Sequence, residues 1–248
     1  MQSGRAGGKE RTVSYRTTQA IVLSRAEWRE NDRLLTLFSP EAGRLDAVCR
    51  GCRKPGNPLM AAAELFTWGE YVLFTGKGRT LVHSCQITEN FYPLRLDYEK
   101  LQLASVFLQA ALKVVQPEEP AQGLFILLAR SLRRLAYTTL PPRAVAAAFL
   151  LHFAGVSGFA PRLDRCVRCG RDLAGEGGYL VAREGGVRCA DCGAREPERL
   201  LLSAGALGWL REVAARGIDK AGELAGEVPY RLLAEYVGHH LDSELPEA

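Results

Sequence analysis

Cys166-Val167-Arg168-Cys169 and Cys189-Ala190-Asp191-Cys192 are two Cys-x-x-Cys pairs with nineteen residues between them. A Cys-x-x-Cys turn aims two thiolates at a common centre, and two such turns supply four sulfur ligands. Four thiolates in a tetrahedron suit a structural zinc ion, and the spacing is that of known zinc modules. A glycine follows each pair, Gly170 and Gly193, and is expected to permit a tight turn at positive φ. A closed shell of Cys166, Cys169, Cys189 and Cys192 leaves no position for water or substrate. The one zinc ion expected per chain is therefore scaffold, not catalyst. The hairpin-like segment between the pairs has too little core to fold alone; metal-driven folding, worth roughly 10–16 kcal/mol in zinc-finger peptides, would supply that stability.

Upstream of this module the pattern is β. Short apolar or alternating runs at 18–25, 33–39, 43–50, 66–75 and 79–88 read as five strands. In the third, Leu45, Ala47 and Cys49 alternate with Arg44, Asp46, Val48 and Arg50. Gly76-Lys77-Gly78 separates the last two runs as a hairpin turn. Five strands over some seventy residues, with no long helix among them, predict a small antiparallel barrel. An OB-fold, whose open face often binds oligonucleotides, fits this size. Periodicity does not distinguish it from an SH3-like barrel.

After Pro93 the period changes from two to 3.6. Asp97 is placed to cap a helix running to about 115, with Leu101, Ala104, Leu108, Ala111 and Val115 on one face. Leu124, Leu127, Leu128, Leu132 and Leu135 form a second stripe after Pro120. The stretch 143–154 is apolar nearly all round, which predicts a buried helix ending at Gly155. Helical pattern resumes over 204–216, ended by Gly217, and over 229–241. The fold class is α+β and multidomain: a disordered tail over 1–15, an OB-fold-like barrel over 16–92, a helical part over 93–160, the four-cysteine module over 161–199, and the rest of the helical domain over 200–248.

Composition narrows the function classes. The 248 residues are 47% hydrophobic and 24% charged, ordinary values for a folded protein and too apolar for a disordered one. No uninterrupted run of about 18 apolar residues predicts a transmembrane helix, and the first residues lack the apolar core of a signal peptide. Seven cysteines, four of them in metal spacing, suit a reducing cytoplasm better than a disulfide framework. Charge is uneven: residues 1–92 carry 13 basic and 9 acidic side chains, residues 200–248 carry 4 and 8. A basic front and an acidic end point weakly to a polyanionic partner.

The basic residues cluster. Arg44, Arg50, Arg53 and Lys54 lie on the third strand and its following loop; Arg25, Arg29 and Arg33 lie near the first turn; Lys77 and Arg79 flank the last hairpin. Arg25, Arg33, Arg44, Arg50, Arg53, Lys54, Lys77 and Arg79 are the candidate DNA contacts, a phosphate track whose affinity would be salt-dependent and independent of sequence. Trp28, Phe66 and Trp68 are candidates to stack bases. The plain alternative is a solvated basic surface around a core of aromatics. Arg130, Arg133 and Arg134 offer a second basic site on the helical domain. Catalytic patterns are poor: there is no P-loop, no Gly-x-Ser-x-Gly and no His-Glu-x-x-His. The four histidines are scattered. Cys49-Arg50-Gly51-Cys52 is a third Cys-x-x-Cys, but it closes a strand instead of opening a helix, so an incidental strand end is preferred to a redox pair.

The order of these parts, together with three strings, resembles the bacterial RecO family of DNA repair proteins. The strings are Gly43-Arg44-Leu45-Asp46-Ala47-Val48-Cys49-Arg50-Gly51, Leu163-Asp164-Arg165-Cys166-Val167-Arg168-Cys169-Gly170, and Tyr236-Val237-Gly238-His239-His240-Leu241-Asp242-Ser243. The resemblance spans residues 17–245. It implies an OB-fold, a helical domain and a zinc module in members that keep the cysteines. It also implies binding of single- and double-stranded DNA, strand annealing, and help in loading the recombinase RecA onto DNA coated by single-strand-binding protein. RecR and the C-terminal tail of single-strand-binding protein are the implied partners, and no small-molecule turnover is implied. Two departures stand out. Asp46 occupies a position where members often carry a basic residue, which weakens the phosphate track; and many members lack the cysteines that this chain keeps. The competing expectation is a zinc-containing adaptor whose barrel binds protein, not DNA.

Overall fold

Ala20, Val22, Leu35, Leu37, Ala47 and Leu73 are buried at alternating strand positions, and together they fill the inside of a closed barrel. The structure is a computed structural model that describes residues 14–76, 78–195, 200–224 and 226–245. The chain divides after Asn90 into two units.

The first unit contains β1 (Ser14–Arg29), β2 (Asp32–Ser39), β3 (Gly43–Cys49), β4 (Trp68–Gly76) and β5 (Arg79–Glu89). They close in the order β1-β2-β3-β5-β4, with β4 returning to β1. The pairings are antiparallel except β3 with β5, which run parallel at Val48 and Leu81. That order and that one parallel closure are the OB-fold arrangement, and they remove the SH3-like alternative. They also correct the expectation of a wholly antiparallel barrel. The cause of the parallel pair is the long connection between β3 and β4, which lets β4 return to β1 while β5 slots in beside β3.

The same closure breaks the alternation expected in β3. Strict alternation puts Val48 in the outward set, yet it is buried at 7% exposure, because β5 lies beside it. Residues 1–13 of the expected tail lie outside the described residues; Ser14 and Tyr15 already belong to β1, opposite Thr75 and Phe74. β1 is 16 residues long, with register shifts at Val22/Ser24 and Glu27/Arg29 that let it bend around the barrel. The β3–β4 connection contributes Cys52, Ala62 and Ala63 to the core, and the Tyr71 hydroxyl donates to the Ala62 carbonyl at 2.7 Å.

The second unit is organised around a buried helix. Its elements are α1 (Tyr98–Val114), α2 (Gln122–Tyr137), α3 (Pro142–Val156), β6 (Gly178–Val181), β7 (Gly186–Arg188), α4 (Ala190–Gly193), β8 (Leu200–Leu202), α5 (Ala204–Arg216) and α6 (Tyr230–His240). The Asp97 carboxylate caps α1 by accepting the Lys100 N–H at 3.1 Å, and the Ser203 hydroxyl caps α5 through Ala206 N–H at 3.0 Å. Pro142 starts α3, where its missing N–H costs nothing. α3 runs through Gly155 to Val156, one residue beyond the stop expected at that glycine, since a glycine near a helix end is tolerated. It packs against α1, α2, α5 and α6. Phe149 stacks on Phe107 of α1 with centroids 4.1 Å apart. Such a helix has no face left for water, which is why its sequence lacks a polar stripe. No helix among the described residues is long and apolar enough to cross a membrane.

Phe149→Ala is expected to cost about 3–5 kcal/mol of stability, since the residue is fully buried and its neighbours cannot all collapse into the space. Urea unfolding of the variant against the parent checks this. A loss below 1 kcal/mol would show that α3 is not the hub of its unit.

Candidate functional site

The four cysteines converge. Cys166 and Cys169 lie in a knuckle before β6, and Cys189 and Cys192 lie where β7 runs into α4. The Val167 N–H donates to the Val187 carbonyl at 2.9 Å, which fastens the first knuckle to β7 and so beside Cys189. All four Sγ atoms lie within 4.8 Å of one another, and Cys169 Sγ and Cys189 Sγ are 3.8 Å apart. A tetrahedron of metal–sulfur bonds of about 2.3 Å has edges of about 3.8 Å, so the donor set fits. Among the described residues this is the one group of three or more His, Cys, Asp and Glu side chains close enough to share a metal ion.

Two of the four thiols are shifted in opposite directions. Burial raises the Cys166 thiol, but N–H groups of Cys169, Cys189 and Arg168 on its sulfur overcome that and hold it down at about 6. Hydrogen bonds with Cys189 and Cys169 push Cys192 up to about 12. Four sulfurs this close cannot all be thiolates unless a cation sits among them.

The two glycines after the pairs do different work. Gly170 has φ +75°, as the tight turn requires. Gly193 is helical; a Cβ there would lie 2.3 Å from Tyr179 Cδ2, so it is glycine because the Tyr179 ring crosses it. The module's sheet has the order β7-β6-β8, so the strand following the cysteines, β8, completes it. Arg211 of α5 fixes the entry to the first knuckle by donating to the Leu163 carbonyl at 2.9 and 2.7 Å. The Tyr236 hydroxyl of α6 donates to the Phe159 carbonyl at 2.8 Å.

The second candidate site is one end of the barrel. The loop after β3 carries Arg50, Arg53 and Lys54, and three contacts pin it to the β1–β2 hairpin. Gly51 N–H donates to Asp32 Oδ1 at 2.8 Å, Arg53 N–H donates to the Asn31 carbonyl at 3.2 Å, and Arg53 Nη1 pairs with Glu27 at 3.0 Å. Arg50 and Lys54 are exposed and make no ion pair among the described residues. Arg79, opening β5, places its guanidinium over the Trp28 ring, 5.9 Å from the centroid. The barrel therefore brings residues 28, 50, 53, 54 and 79 to one rim.

The other basic candidates are arranged differently. Arg25 and Arg33 both pair with Glu64, one carboxylate between two cations. Arg44 pairs with Asp46 at 3.1 Å, and Asp46 also accepts from Thr36 Oγ1 at 2.8 Å. Asp46 thus cancels the charge of Arg44 locally. The exposed Arg44–Asp46 pair is worth about 0–1 kcal/mol and holds its arginine only loosely, whereas Arg33 is part-buried against Glu64. Lys77 lies outside the described residues.

The candidate stacking aromatics separate by burial. Phe66 is 1% exposed and belongs to the interior, which corrects its assignment as a base-stacking residue. Trp68 is half-buried and donates Nε1–H to Gln19 at 2.9 Å. Trp28 is 44% exposed. An aromatic group missed in the sequence is Tyr15 with Phe74 and His83, ring centroids 5.1 and 5.7 Å from Tyr15. Cross-strand pairing of β1 with β4 assembles it, and the strand alternation of 14–17 was the signal that could have found it.

Cys49 and Cys52 are both buried, and burial followed by the neighbouring Cys52 pushes the Cys49 thiol up, away from any reactive thiolate. His152 is half-buried in α3, where burial lowers its pKa against a hydrogen bond to the Val213 backbone. His240 stacks on Phe159 with centroids 4.6 Å apart. On the helical unit, Arg130, Arg133, Arg134 and Tyr137 line a cleft of about 380 Å³, with Arg130 paired to Asp219 and Arg134 to Glu223.

Two family models match the chain. The one described as Recombination protein O N terminal matches residues 13–91, and the one described as Recombination protein O C terminal matches residues 95–247. Among similar proteins, the DNA repair protein RecO of Desulfatibacillum aliphaticivorans is 31% identical over 239 residues, 92% of this chain and 93% of the relative. That of Acetivibrio thermocellus is 31% identical over 194 residues, 78% of this chain and 77% of the relative. That of Desulfitobacterium hafniense is 33% identical over 208 residues, 83% of this chain and 76% of the relative.

Cys189→Ser is expected to abolish stoichiometric metal binding and to expose the module to protease while the barrel stays folded. Metal content by mass spectrometry and limited proteolysis measure the two effects. One equivalent of metal retained by the variant would contradict the four-sulfur site.

Proposed function

We propose that this chain, which belongs to the RecO family of DNA repair proteins, binds single- and double-stranded DNA through the phosphate backbone in repair and homologous recombination. It anneals complementary strands and helps load a recombinase onto DNA coated by single-strand-binding protein. The observation that carries this reading is the barrel rim. Arg50 and Lys54 stand there without acidic partners among the described residues, beside Arg53 and Arg79. Contacts to phosphate position a duplex or a strand without reading its bases. Each one releases condensed counterions, which drives binding and makes it weaken with salt.

Annealing follows from the same physics. Two complementary strands repel as polyanions, and a surface that neutralises part of each lowers the cost of bringing them together. Arg25 and Arg44 add to that surface when phosphates displace their carboxylate partners. No step of this work requires turnover of a small substrate, and no membrane takes part.

The four cysteines hold one structural zinc ion in this reading. Thiolate ligands and tetrahedral edges favour zinc over the harder cations. When bound, the ion ties two knuckles into one folded module. The proposed protein partners are RecR and the C-terminal tail of single-strand-binding protein. The Arg130–Arg133–Arg134 cleft, with the exposed ring of Tyr137, supports the second, since it offers cations and an apolar surface together. The protein would act in the cytoplasm, at the nucleoid when on DNA.

Arg50→Ala combined with Lys54→Ala is expected to lower affinity for DNA of any sequence. The slope of log K against log salt should fall by about 1.4 for single strands and about 1.8 for duplexes, the release of two phosphate contacts. Titrations at several salt concentrations measure this. An unchanged slope would move the phosphate contacts away from the rim. Affinity of the unsubstituted chain that does not vary with salt would favour a barrel that binds protein.

A further inference from the structure

Trp28 is placed unlike the other tryptophans of this chain. Trp209 is 1% exposed and Trp68 is tied to Gln19, whereas Trp28 is 44% exposed at the end of β1. It lies at a register irregularity: Glu27 pairs with Arg33 and Arg29 pairs with Asp32, and the residue between them has no partner across the hairpin. A bulge of this kind at a barrel rim turns a side chain away from the regular alternation. Burial does not explain an indole there, because the ring contributes little to the core.

Its surroundings are cationic. Arg79 lies over the ring at 5.9 Å from the centroid, so one face of the indole is backed by a guanidinium. The residue before it, Glu27, is held by Arg53 at 3.0 Å. Asp32, opposite Arg29, is held by the Gly51 N–H at 2.8 Å. The loop bearing Arg50 and Lys54 is therefore fixed beside Trp28 by its neighbours on both sides. An exposed ring with a cation behind it and phosphate-binding side chains around it is the combination that single-stranded nucleic acid uses. A duplex keeps its bases stacked on each other and offers no free face to the ring.

We propose that Trp28 is a stacking platform for an unpaired nucleobase, with Arg79 as its backing cation, and that it makes the barrel rim favour single strands over duplexes. The inference rests on the DNA-binding reading above and adds to it the type of strand recognised. The cations around the ring favour a nucleic acid over an apolar protein partner.

The test uses the full chain, a thymidine oligonucleotide and a duplex of equal length. Trp28→Ala is expected to weaken oligonucleotide binding roughly 10-fold, the loss of one base–aromatic stack. Duplex affinity and melting temperature should stay unchanged, and Trp28→Phe should restore most of the binding. Quenching of tryptophan fluorescence by the oligonucleotide should disappear in Trp28→Phe, since Trp68 and Trp209 remain. Equal losses on both DNAs, or no loss on the oligonucleotide, would overturn the platform. So would intact oligonucleotide binding with lost binding of single-strand-binding protein, which would assign the ring to a protein partner. If Arg50→Ala with Lys54→Ala weakens binding and Trp28→Ala does not, only the platform falls. If the unsubstituted chain binds neither DNA, the DNA-binding reading falls with it.

Discussion

The parallel pairing of Val48 with Leu81 closes five strands into a barrel, and the candidate rim exists because of it. Without closure β3 and β5 would be open edges, with unpaired backbone groups and no fixed position for the loops they carry. With closure, the end of β3, the start of β5 and the β1–β2 hairpin meet at one end. Residues 28, 50, 53, 54 and 79 are then neighbours although Trp28 and Arg79 are 51 positions apart. The loop after β3 is held by bonds to Asp32, Asn31 and Glu27 and needs no core of its own. The loop's own acidic partners go to Arg53 and to a backbone N–H, and that allocation leaves Arg50 and Lys54 available to an external anion.

The helical unit solves a different problem. α3 is buried on all sides, so α1, α2, α5 and α6 have a common surface to pack against. The four-cysteine module branches from this bundle between α3 and α5. It has three short strands and a four-residue helix, too little apolar surface to stand alone. Arg211 and Tyr236 fasten its entrance to the bundle through carbonyls of Leu163 and Phe159. The four sulfurs meet in its interior, where a bound cation would relieve the repulsion of four adjacent thiolates.

Much of this was legible in the residues. The helix cap at Asp97 and the stop at Gly217 are local: each depends on a side chain or backbone state within a few positions. The four cysteines were legible because metal ligation restricts spacing as well as residue type. Val48 was not, because its burial comes from a strand more than thirty residues away. The Arg25–Glu64 and Arg33–Glu64 pairs were not, because nothing near either arginine announces an acid thirty or forty positions on. Gly193 shows the same limit: a turn glycine and a glycine crossed by an aromatic ring read alike in a string.

The amino-acid sequence by itself determined the α+β class, the helix limits to within a few residues, the sulfur ligand set and the family resemblance. Those follow from short-range periodicity, capping and ligand spacing, all properties of neighbouring residues. Tertiary structure decided that the barrel is an OB-fold, which arginines are neutralised and which remain available, and which of three aromatics is displayed at the rim. Those depend on strand order and on partners distant in the chain. Charge and exposure are properties of a surface, and a surface is assembled only when the strands close.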